Sequence, residues 1–562
     1  MYFLLPWKYK DTAKKVTGSR WHKEYGEWSF PPSAFPELLN CLPHLHEELE
    51  ADIRTIYAAQ AASVINKAKD QELPEKFNLD ADIADVVIPD IDLKVRLDDG
   101  TYGEPFEHQL KAVKCGIKYN QFAFFMEMAT GKTKSVIDVI RCRMALGQKI
   151  RPLIVCPKSV IYNWGNELDK NGFPNYNIIN GSKKKRVNSL ADALLREVPA
   201  VMGYDSLIYT GEQPFWKMFN CVILDESTYI KTHDAKRTRF VLQYFKDTTL
   251  KYILSGTPIT NAPIDIFSQF AFLNKKFLGH SSYYAFRNQY CVMQKQGTGF
   301  KTYQVIIGYK NKPQLMGKIA RHSLQMKKED CLDLPEKIYT VRHMDMPPEM
   351  KRQYREMETT LALELENGDT VTAQIILTKM LRLQQILAGE YVEKKDNAKL
   401  QTLGEIVNET LENDRQIVLF ARFKHSIRLI TDYIENDLKH KIEVIDGAKT
   451  DEERRDSLES FQSGRVKIFL GQLQATSFDI NLFKGSTAVY YENTFSFENR
   501  KQSEDRIHRP GQKNICTYID LIYKDSIDEH VFGALARKQD MASSLVDSFL
   551  KGKYTLQEKM NG

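Results

Sequence analysis

The segment Met126-Glu127-Met128-Ala129-Thr130-Gly131-Lys132-Thr133 follows a short apolar run, Phe122–Phe125, and opens a helical pattern. In that strand–loop–helix context, backbone N–H groups and a helix N-terminus face the phosphates of a nucleotide. Lys132 would reach the β- and γ-phosphates, and Thr133 would hold Mg²⁺. The loop departs from G-x-x-x-x-G-K-[ST], because Met126 stands where the first glycine belongs. A second apolar run, Val222-Ile223-Leu224, ends in Asp225 and Glu226. Asp225 can contact Mg²⁺ through its water shell, and Glu226 can orient or deprotonate an attacking water. Upstream, His108 and Gln109 place an amide that could read an adenine edge. Near the other end, Gln502, Arg506 and Arg509 lie in a compact segment running to Gln512. A guanidinium is planar, always charged and able to hold two phosphate oxygens at once. Arg506 and Arg509 can therefore meet the charge that develops as a γ-phosphate leaves; the plainer alternative is a surface helix in which they pair with Asp505 and Glu504.

Such groups must be carried by strand ends, and the apolar pattern supplies them. Short runs at Phe122–Phe125, Leu153–Val155, Ala200–Met202, Val222–Leu224 and Tyr252–Leu254 alternate with helical segments. After about Lys399 the alternation resumes at Ile417–Phe420, Lys441–Ile445, Lys467–Leu470 and Ala488–Tyr491. Buried β-rich runs separated by helices imply mostly parallel sheets with crossover connections. The expected fold class is α/β, with two parallel-sheet lobes, helical insertions and a small N-terminal α+β module. The expected boundaries are 1–45 for that module and 46–95 for a helical linker. Lobe 1 is expected over 96–335, with a helical insertion at about 267–330, and lobe 2 over 336–562, with one at about 345–397. The intervening region, roughly Phe267 to Asn397, reads as mainly helical with a hairpin near Gly299–Gly308.

Composition sets wide bounds. The 562 residues are 42% hydrophobic and 27% charged, ample for buried cores. The net charge of +6 permits an anionic partner without demanding one. Eight cysteines occur without a C-x-x-C pair, so neither zinc nor a disulfide framework is indicated. The N-terminus is too briefly apolar for a signal peptide, and no run approaches the roughly 20 apolar residues that span a bilayer. A cytoplasmic protein, nucleoid-associated if bacterial or phage-encoded, and no membrane partner are the expectations.

Taken together, these segments resemble the Swi/Snf-type ATPases among the superfamily-two helicase-like motors. The match runs through Pro152–Pro157, Asn163-Trp164, Asp225-Glu226-Ser227-Thr228, Leu254–Asn261, Leu334–Lys337, Ile417–Phe420, Asp446–Ala448, Asp479–Leu482 and Gln502–Gln512. The resemblance implies two RecA-like lobes that hydrolyse ATP with Mg²⁺ and track duplex DNA. It assigns nucleotide contacts to Met128, Ala129, Thr130, Gly131, Lys132 and Thr133, and from the second lobe to Gln502, Arg506 and Arg509. Ser255, Gly256 and Thr257, with Thr228, would couple ATP state to the lobe interface. Ala129 and Thr130 replace a more usual glycine-containing loop, and Ser227-Thr228 replaces a small residue and histidine, which puts the coupling in question.

Motors of this type grip phosphates with cations, hydroxyls and amides. Matching positions for DNA are Lys158, Ser159, Asn163, Trp164, Tyr204, Lys231, Thr260 and Asn261 on lobe 1. On lobe 2 they are Arg422, Lys424, Gly447, Gln474 and Thr476. The run Lys183–Arg186 reads as a solvated basic loop. Residues 1–45 combine Arg20, Trp21 and Trp28 with further cations, and resemble the HARP module of annealing helicases, which implies recognition of forks and junctions. The same aromatics would also serve a small core. The leading expectation is an ATP-dependent double-stranded DNA translocase remodelling branched or protein-bound DNA, probed against two alternatives: a strand-separating DNA or RNA helicase, and a nucleotide-gated DNA-binding scaffold. The absence of appended motifs points to a bacterial or phage motor.

Overall fold

A computed structural model describes residues 3–6, 20–22, 27–30, 77–96, 101–259, 262–296, 303–366, 373–390, 393–447, 449–473 and 480–536. The chain separates into two compact units, Met1–Glu75 and Lys76–Gly562. In the first, β1 (Phe3–Pro6), β2 (Arg20–His22) and β3 (Glu27–Phe30) form an antiparallel sheet in the order β1-β3-β2. Register places Trp21 opposite Trp28 and Arg20 opposite Ser29. The rest of the expected N-terminal module, and residues 46–76 of the expected linker, lie outside the described residues.

The remainder of that linker belongs to the second unit. Its described part holds one short helix, Leu79–Asp82, and then extended chain packed on lobe 1. Ile83 is buried among lobe 1 side chains, and Lys134 Nζ donates to the Leu93 carbonyl at 2.6 Å. A two-residue pair, β4 (Val95–Arg96) with β5 (Tyr102–Gly103), closes this stretch.

Lobe 1 is built on β6 (Gln121–Met126), β7 (Pro152–Cys156), β8 (Asn177–Ile179), β9 (Ala200–Gly203), β10 (Cys221–Leu224) and β11 (Leu250–Leu254). An antiparallel hairpin follows, β12 (Cys291–Gln296) with β13 (Tyr303–Tyr309), and then β14 (Ser323–Met326). The sheet order is β14-β6-β11-β10-β7-β9-β8, with every pairing parallel. Strand periodicity sorts β6 between two cores: Phe122, Phe124 and Met126 join one face, Ala123 and Phe125 the other. Both faces are dry, so these strands read as continuous apolar runs rather than alternating ones. Full burial of each such phenylalanine is worth about 1.5–3 kcal/mol. The segment 267–330, read as mainly helical with a hairpin, holds that hairpin and also the edge strand β14, which the reading did not include.

Lobe 2 contains β15 (Lys337–Met344), β16 (Gln416–Ala421), β17 (Ile442–Ile445), β18 (Ile468–Gln472), β19 (Gly485–Tyr490) and β20 (Cys516–Tyr523). Their order is β15-β20-β19-β16-β18-β17, again all parallel. Two apolar clusters cover its faces. Between β15 and β16 run the helices Pro348–Glu366, Ala373–Leu387 and Ala398–Glu412. The fold class is thus α/β, with two RecA-like parallel-sheet lobes, and each sheet turns the carboxyl ends of its strands toward loops that can hold ligands. Among the described residues, no helix is long and apolar enough to cross a membrane.

Candidate active site

Strand β6 delivers its chain directly into the loop Glu127–Gly131, and the helix Lys132–Ala145 starts at once. Two residues of this loop lie in the left-handed region, Ala129 at φ 68° and Gly131 at φ 83°. Gly131 is needed twice over. Its positive φ suits glycine, and a Cβ there would meet Gln109 Nε2 at 2.1 Å. The loop is tied internally, with Thr130 Oγ1 donating to the Glu127 carbonyl at 2.8 Å. From behind, the His108 ring lies 2.8 Å from the Thr130 carbonyl through Nε2, and Gln109 Nε2 donates to the same oxygen at 3.4 Å. His108 and Gln109 are thus placed as braces of the loop, and neither lines the cleft in front of it. Thr130 is likewise fully buried.

Strand β10 ends at Leu224, which sets Asp225 and Glu226 beside the loop. The Glu226 backbone is left-handed, φ 47° and ψ 60°, a conformation that costs a non-glycine residue about 1–3 kcal/mol and clusters at functional sites. Lys132 Nζ donates to Glu226 Oε1 at 3.2 Å. Trp164 Nε1 donates to Asp225 Oδ2 at 2.8 Å, and the Tyr204 hydroxyl donates to the Asp225 carbonyl at 2.8 Å. Both aromatic rings are buried, at 1% and 2% exposure. The expectation that Trp164 and Tyr204 touch DNA is corrected accordingly: buried side chains committed to Asp225 have no face left for a phosphate backbone.

Charge in this corner is concentrated. Burial, followed by the neighbouring Glu226 charge, pushes Asp225 up to about 6, against the opposing pull of Lys132 and the Trp164 hydrogen bond. Burial alone would lower the Lys132 ammonium, but Glu226 and Asp225 outweigh it and hold the lysine above its ordinary value. Ser255 and Gly256 complete the floor. Ser255 Oγ donates to Glu226 Oε2 at 3.5 Å and accepts the Thr257 N–H at 3.1 Å. A Cβ on Gly256 would lie 3.5 Å from Glu127 Cα and the Met126 carbonyl, so this segment packs flat on the phosphate loop.

Across the cleft stands the helix Phe497–Ile507 of lobe 2. One cavity is lined from lobe 1 by Met128, Ala129, Gly131, Lys132, Thr133, Asn163, Trp164, Asp225 and Glu226, and from lobe 2 by Gln502, Arg506 and Arg509. A smaller cavity beside it brings Gly256 and Thr257 against Lys501, Gln502 and Asp505. Thr228 Oγ1 donates to Glu498 Oε1 at 3.2 Å, and Lys231 Nζ lies 3.9 Å from Glu498 Oε2. Lys231, expected on DNA, is therefore turned to the opposite lobe. Asp505 and Glu167 also line the main cavity and were not anticipated. Glu167 stands one turn from Asn163 on the helix Ile161–Lys170, a spacing visible in the sequence.

The remaining expected DNA contacts divide by exposure. Lys158 and Ser159 are exposed after β7, Lys424 opens the helix after β16, and Gly447 is exposed after β17. Arg422 is half-buried: its N–H donates to Glu492 at 2.8 Å and its guanidinium lies 5.2 Å from the Phe423 ring centre. Lys183–Arg186 form the first turn of a helix, Lys183–Leu195, rather than a loop. Thr260, Asn261, Gln474 and Thr476 lie outside the described residues. Arg20, Trp21 and Trp28 are placed as backbone in the N-terminal sheet.

Two family models and several known proteins match this chain. The family described as the SNF2-related domain matches residues 108–392, and the helicase conserved C-terminal domain matches residues 398–511. An uncharacterized ATP-dependent helicase of Mycoplasma genitalium is 27% identical over 458 residues, covering 79% of this chain and 42% of that protein. The human DNA annealing helicase and endonuclease ZRANB3 is 25% identical over 438 residues, covering 75% of this chain and 38% of its own length. The chain thus spans about two fifths of the length of these relatives. Among solved structures, the SWI2/SNF2 ATPase core of Sulfolobus solfataricus in complex with dsDNA is 24% identical, covers 81% of this chain and 96% of that chain, and has a TM-score of 0.38. With the SNF2-related domain spanning half of its length and the helicase C-terminal domain following it, the chain belongs to the SNF2 family.

Proposed function

We propose that the chain is a DNA-dependent ATPase that translocates on double-stranded DNA, hydrolysing ATP between its two lobes, and that it remodels forks, junctions or protein–DNA structures. The observation that carries this reading is one cavity lined by Lys132, Thr133, Asp225 and Glu226 from one lobe and by Arg506 and Arg509 from the other. An ATPase whose parts are split between lobes can turn hydrolysis into relative motion, because the lobes must meet for chemistry and part for release.

Lys132 pairs with Glu226 at 3.2 Å. Triphosphate is the stronger partner for the ammonium, so binding draws Lys132 toward the β- and γ-phosphates and leaves Glu226 able to orient or deprotonate a water. The loop N–H groups and the start of the helix Lys132–Ala145 receive phosphate oxygens. Arg506 and Arg509 then stabilise charge on the departing γ-phosphoryl group, a contribution of about 10³–10⁵ in rate for such arginines. The Thr133 hydroxyl and Asp225 carboxylate share the cleft. Two protein oxygens, with phosphate and water supplying the rest, suit Mg²⁺, which would neutralise phosphate charge when bound.

Lys158, Ser159, Lys424 and Gly447 all follow the carboxyl ends of strands in the two lobes, and duplex phosphates are assigned to that side. The N-terminal sheet, with Arg20, Trp21 and Trp28, is assigned to junction recognition, because aromatics beside cations can stack on exposed bases while holding the backbone. The test is an ATPase assay on duplex, single-stranded and forked DNA. Duplex and fork stimulation, lost at least about 10³-fold in Lys132→Ala, is the expected outcome. Stimulation by single strands or RNA alone would favour a strand-separating helicase. Biological activity that survives Lys132→Ala would favour a nucleotide-gated scaffold.

A further inference from the structure

The helix Phe497–Ile507 presents three faces, and Asp505 stands where two of them meet, since it also lines the main cavity. Gln502, Arg506 and, beyond its end, Arg509 face the cleft. Arg500 and Glu504 pair with each other at 2.8 Å on the side facing lobe 2. A third stripe, Glu498, Lys501 and Asp505, follows helical spacing i, i+3, i+7 with charges that alternate minus, plus, minus. Each member of this stripe meets a group outside lobe 2. Glu498 accepts from Thr228 Oγ1 and faces Lys231. Lys501 Nζ pairs with Glu127 Oε1 in the phosphate loop. Asp505 pairs with Lys328 at 2.6 Å, and both side chains are nearly dry, at 4% and 5% exposure.

The contacts are interlinked. Glu127 also accepts the Lys328 N–H at 2.9 Å through Oε2, and Lys328 Nζ donates to the His508 carbonyl at 2.7 Å. Lys328 stands two residues past the end of β14, which pairs with β6, the strand that feeds the phosphate loop. The stripe is therefore anchored on the same rigid unit that holds Lys132.

We propose that Glu498, Lys501 and Asp505 are positioning residues forming a register key, which fixes the axial and rotational setting of the arginine-bearing helix against the phosphate loop. The alternation of sign supplies the selectivity. If the helix slid by about one turn one way, Glu498 would stand against Glu127 and Lys501 against Lys328. The other way, Asp505 would stand against Glu127 and Lys501 against Lys231. Like charges in a partly desolvated interface repel. The seven-residue spacing spans about 10 Å, long enough to resist tilt as well as slip. Lys501 and Asp505 each immediately precede a cleft residue, Gln502 and Arg506, so an error in one is an error in the other. This inference rests on the reading of the cleft as an ATPase site.

The test uses the full chain with Lys501→Gln, Glu127→Gln, the double variant, Lys501→Glu and Lys501→Arg. A merely structural surface pair would leave turnover intact. Misplaced transition-state groups instead lower kcat: about tenfold for each single Gln variant, with affinity for a non-hydrolysable ATP analogue unchanged within about twofold. The double variant falls by the same tenfold rather than about a hundredfold, because the two residues act as one pair. Lys501→Arg keeps kcat within about twofold, and Lys501→Glu, facing Glu127, loses about a hundredfold. Full turnover in Lys501→Gln, multiplying losses in the double variant, or an arginine as defective as glutamine overturns the key. A second readout is independent of hydrolysis: the distance distribution between a probe on each lobe, without nucleotide. Lys501→Glu widens it; an unchanged distribution overturns the key. If the wild type hydrolyses no ATP on any DNA, the ATPase reading fails, and the probe distances alone decide the key.

Discussion

The two walls of the cleft hold their charges in opposite ways. On the lobe 1 wall the reactive groups satisfy one another: Lys132 pairs with Glu226, Asp225 accepts from Trp164, and Ser255 donates to Glu226. On the lobe 2 wall the cleft residues ride on a helix whose anchorage lies elsewhere. Arg500 is buried against the Tyr490 ring, 3.5 Å from its centre, and its guanidinium binds Asp520 through both terminal nitrogens, Nη2 at 3.0 Å from Oδ2. Asn493 joins them, donating to Asp520 Oδ1 at 2.6 Å. One wall is a self-neutralising cluster. The other is a rigid mount that carries arginines to wherever the first wall places the phosphates.

The largest effect should come from the mounted groups. Arg506→Ala and Arg509→Ala should each lower kcat by about 10³-fold or more while leaving nucleotide affinity within a few-fold, since their role is confined to the transition state. Lys132→Ala should damage both binding and turnover. Single-turnover kinetics alongside equilibrium binding separates the two cases. Equal loss of affinity in both kinds of variant would erase the difference between the walls.

Next comes the mount itself. Arg500→Leu would leave Asp520, 1% exposed, as a buried charge without its main partner. Removing one member of a buried pair destabilises by about 3–5 kcal/mol. The variant should unfold at clearly lower denaturant, with lobe 2 affected first. Denaturant titration followed by hydrogen exchange reads both.

This contrast also shows what could be read from the chain. Phe122–Phe125, Val222–Leu224 and Ile417–Phe420 are buried on both faces, so their continuous apolar pattern was visible as strands. Strand β14 was not: Ser323–Met326 is four residues long and half polar, and only its place beside β6 makes it a strand. Strand β20 hides for another reason. Its Asp520 breaks the apolar run and is answered by Arg500 and Asn493, which lie on other elements. Trp164 had a usable signal. Ile161, Trp164, Gly165 and Leu168 fall at i, i+3, i+4 and i+7 and form the buried face of their helix. The assignment of Trp164 to DNA rests on matching position in the family resemblance, which does not carry this burial pattern. The cleft residues themselves, Lys132, Asp225, Glu226, Arg506 and Arg509, were legible because phosphate chemistry restricts the residue types that can serve it. Glu127–Lys501 and Lys328–Asp505 were not, because ion pairs between distant segments leave no local pattern.

A smaller effect tests how the lobe 1 cluster tunes itself. Trp164→Phe keeps the buried ring and removes the hydrogen bond that lowers Asp225. Asp225 already stands near pH 6 because burial and Glu226 favour its protonated form. An ionised Asp225 is the form that serves phosphate chemistry, so kcat/KM for the free enzyme should rise with pH through about 6 in the wild type. In Trp164→Phe that rise should shift to higher pH, by no more than about one unit, while the alkaline side stays in place. The opposite shift would mean that Trp164 does not stabilise the carboxylate. An Arg506→Lys variant, altered only on the other wall, should leave the position of this acid limb unmoved.

The smallest effect lies in the loop backbone. Ala129 and Gly131 both adopt positive φ, 68° and 83°, but only Gly131 has the residue type that does so without steric cost. A Cβ in the left-handed region costs about 1–2 kcal/mol, and glycine at 129 would remove that strain while adding chain entropy to the unfolded state. The two effects oppose each other, so Ala129→Gly should raise the thermal midpoint slightly, by the equivalent of about 0.5–1 kcal/mol. Gly131→Ala should do the reverse and more severely, since it adds a clash with Gln109 Nε2 to the strain. If Ala129→Gly gains stability but loses turnover, then alanine at this position is holding the loop in the shape that the lobe 2 helix is set to meet. Unchanged turnover would make the residue an ordinary tolerated departure, and would leave the rigidity of the site to the opposite wall.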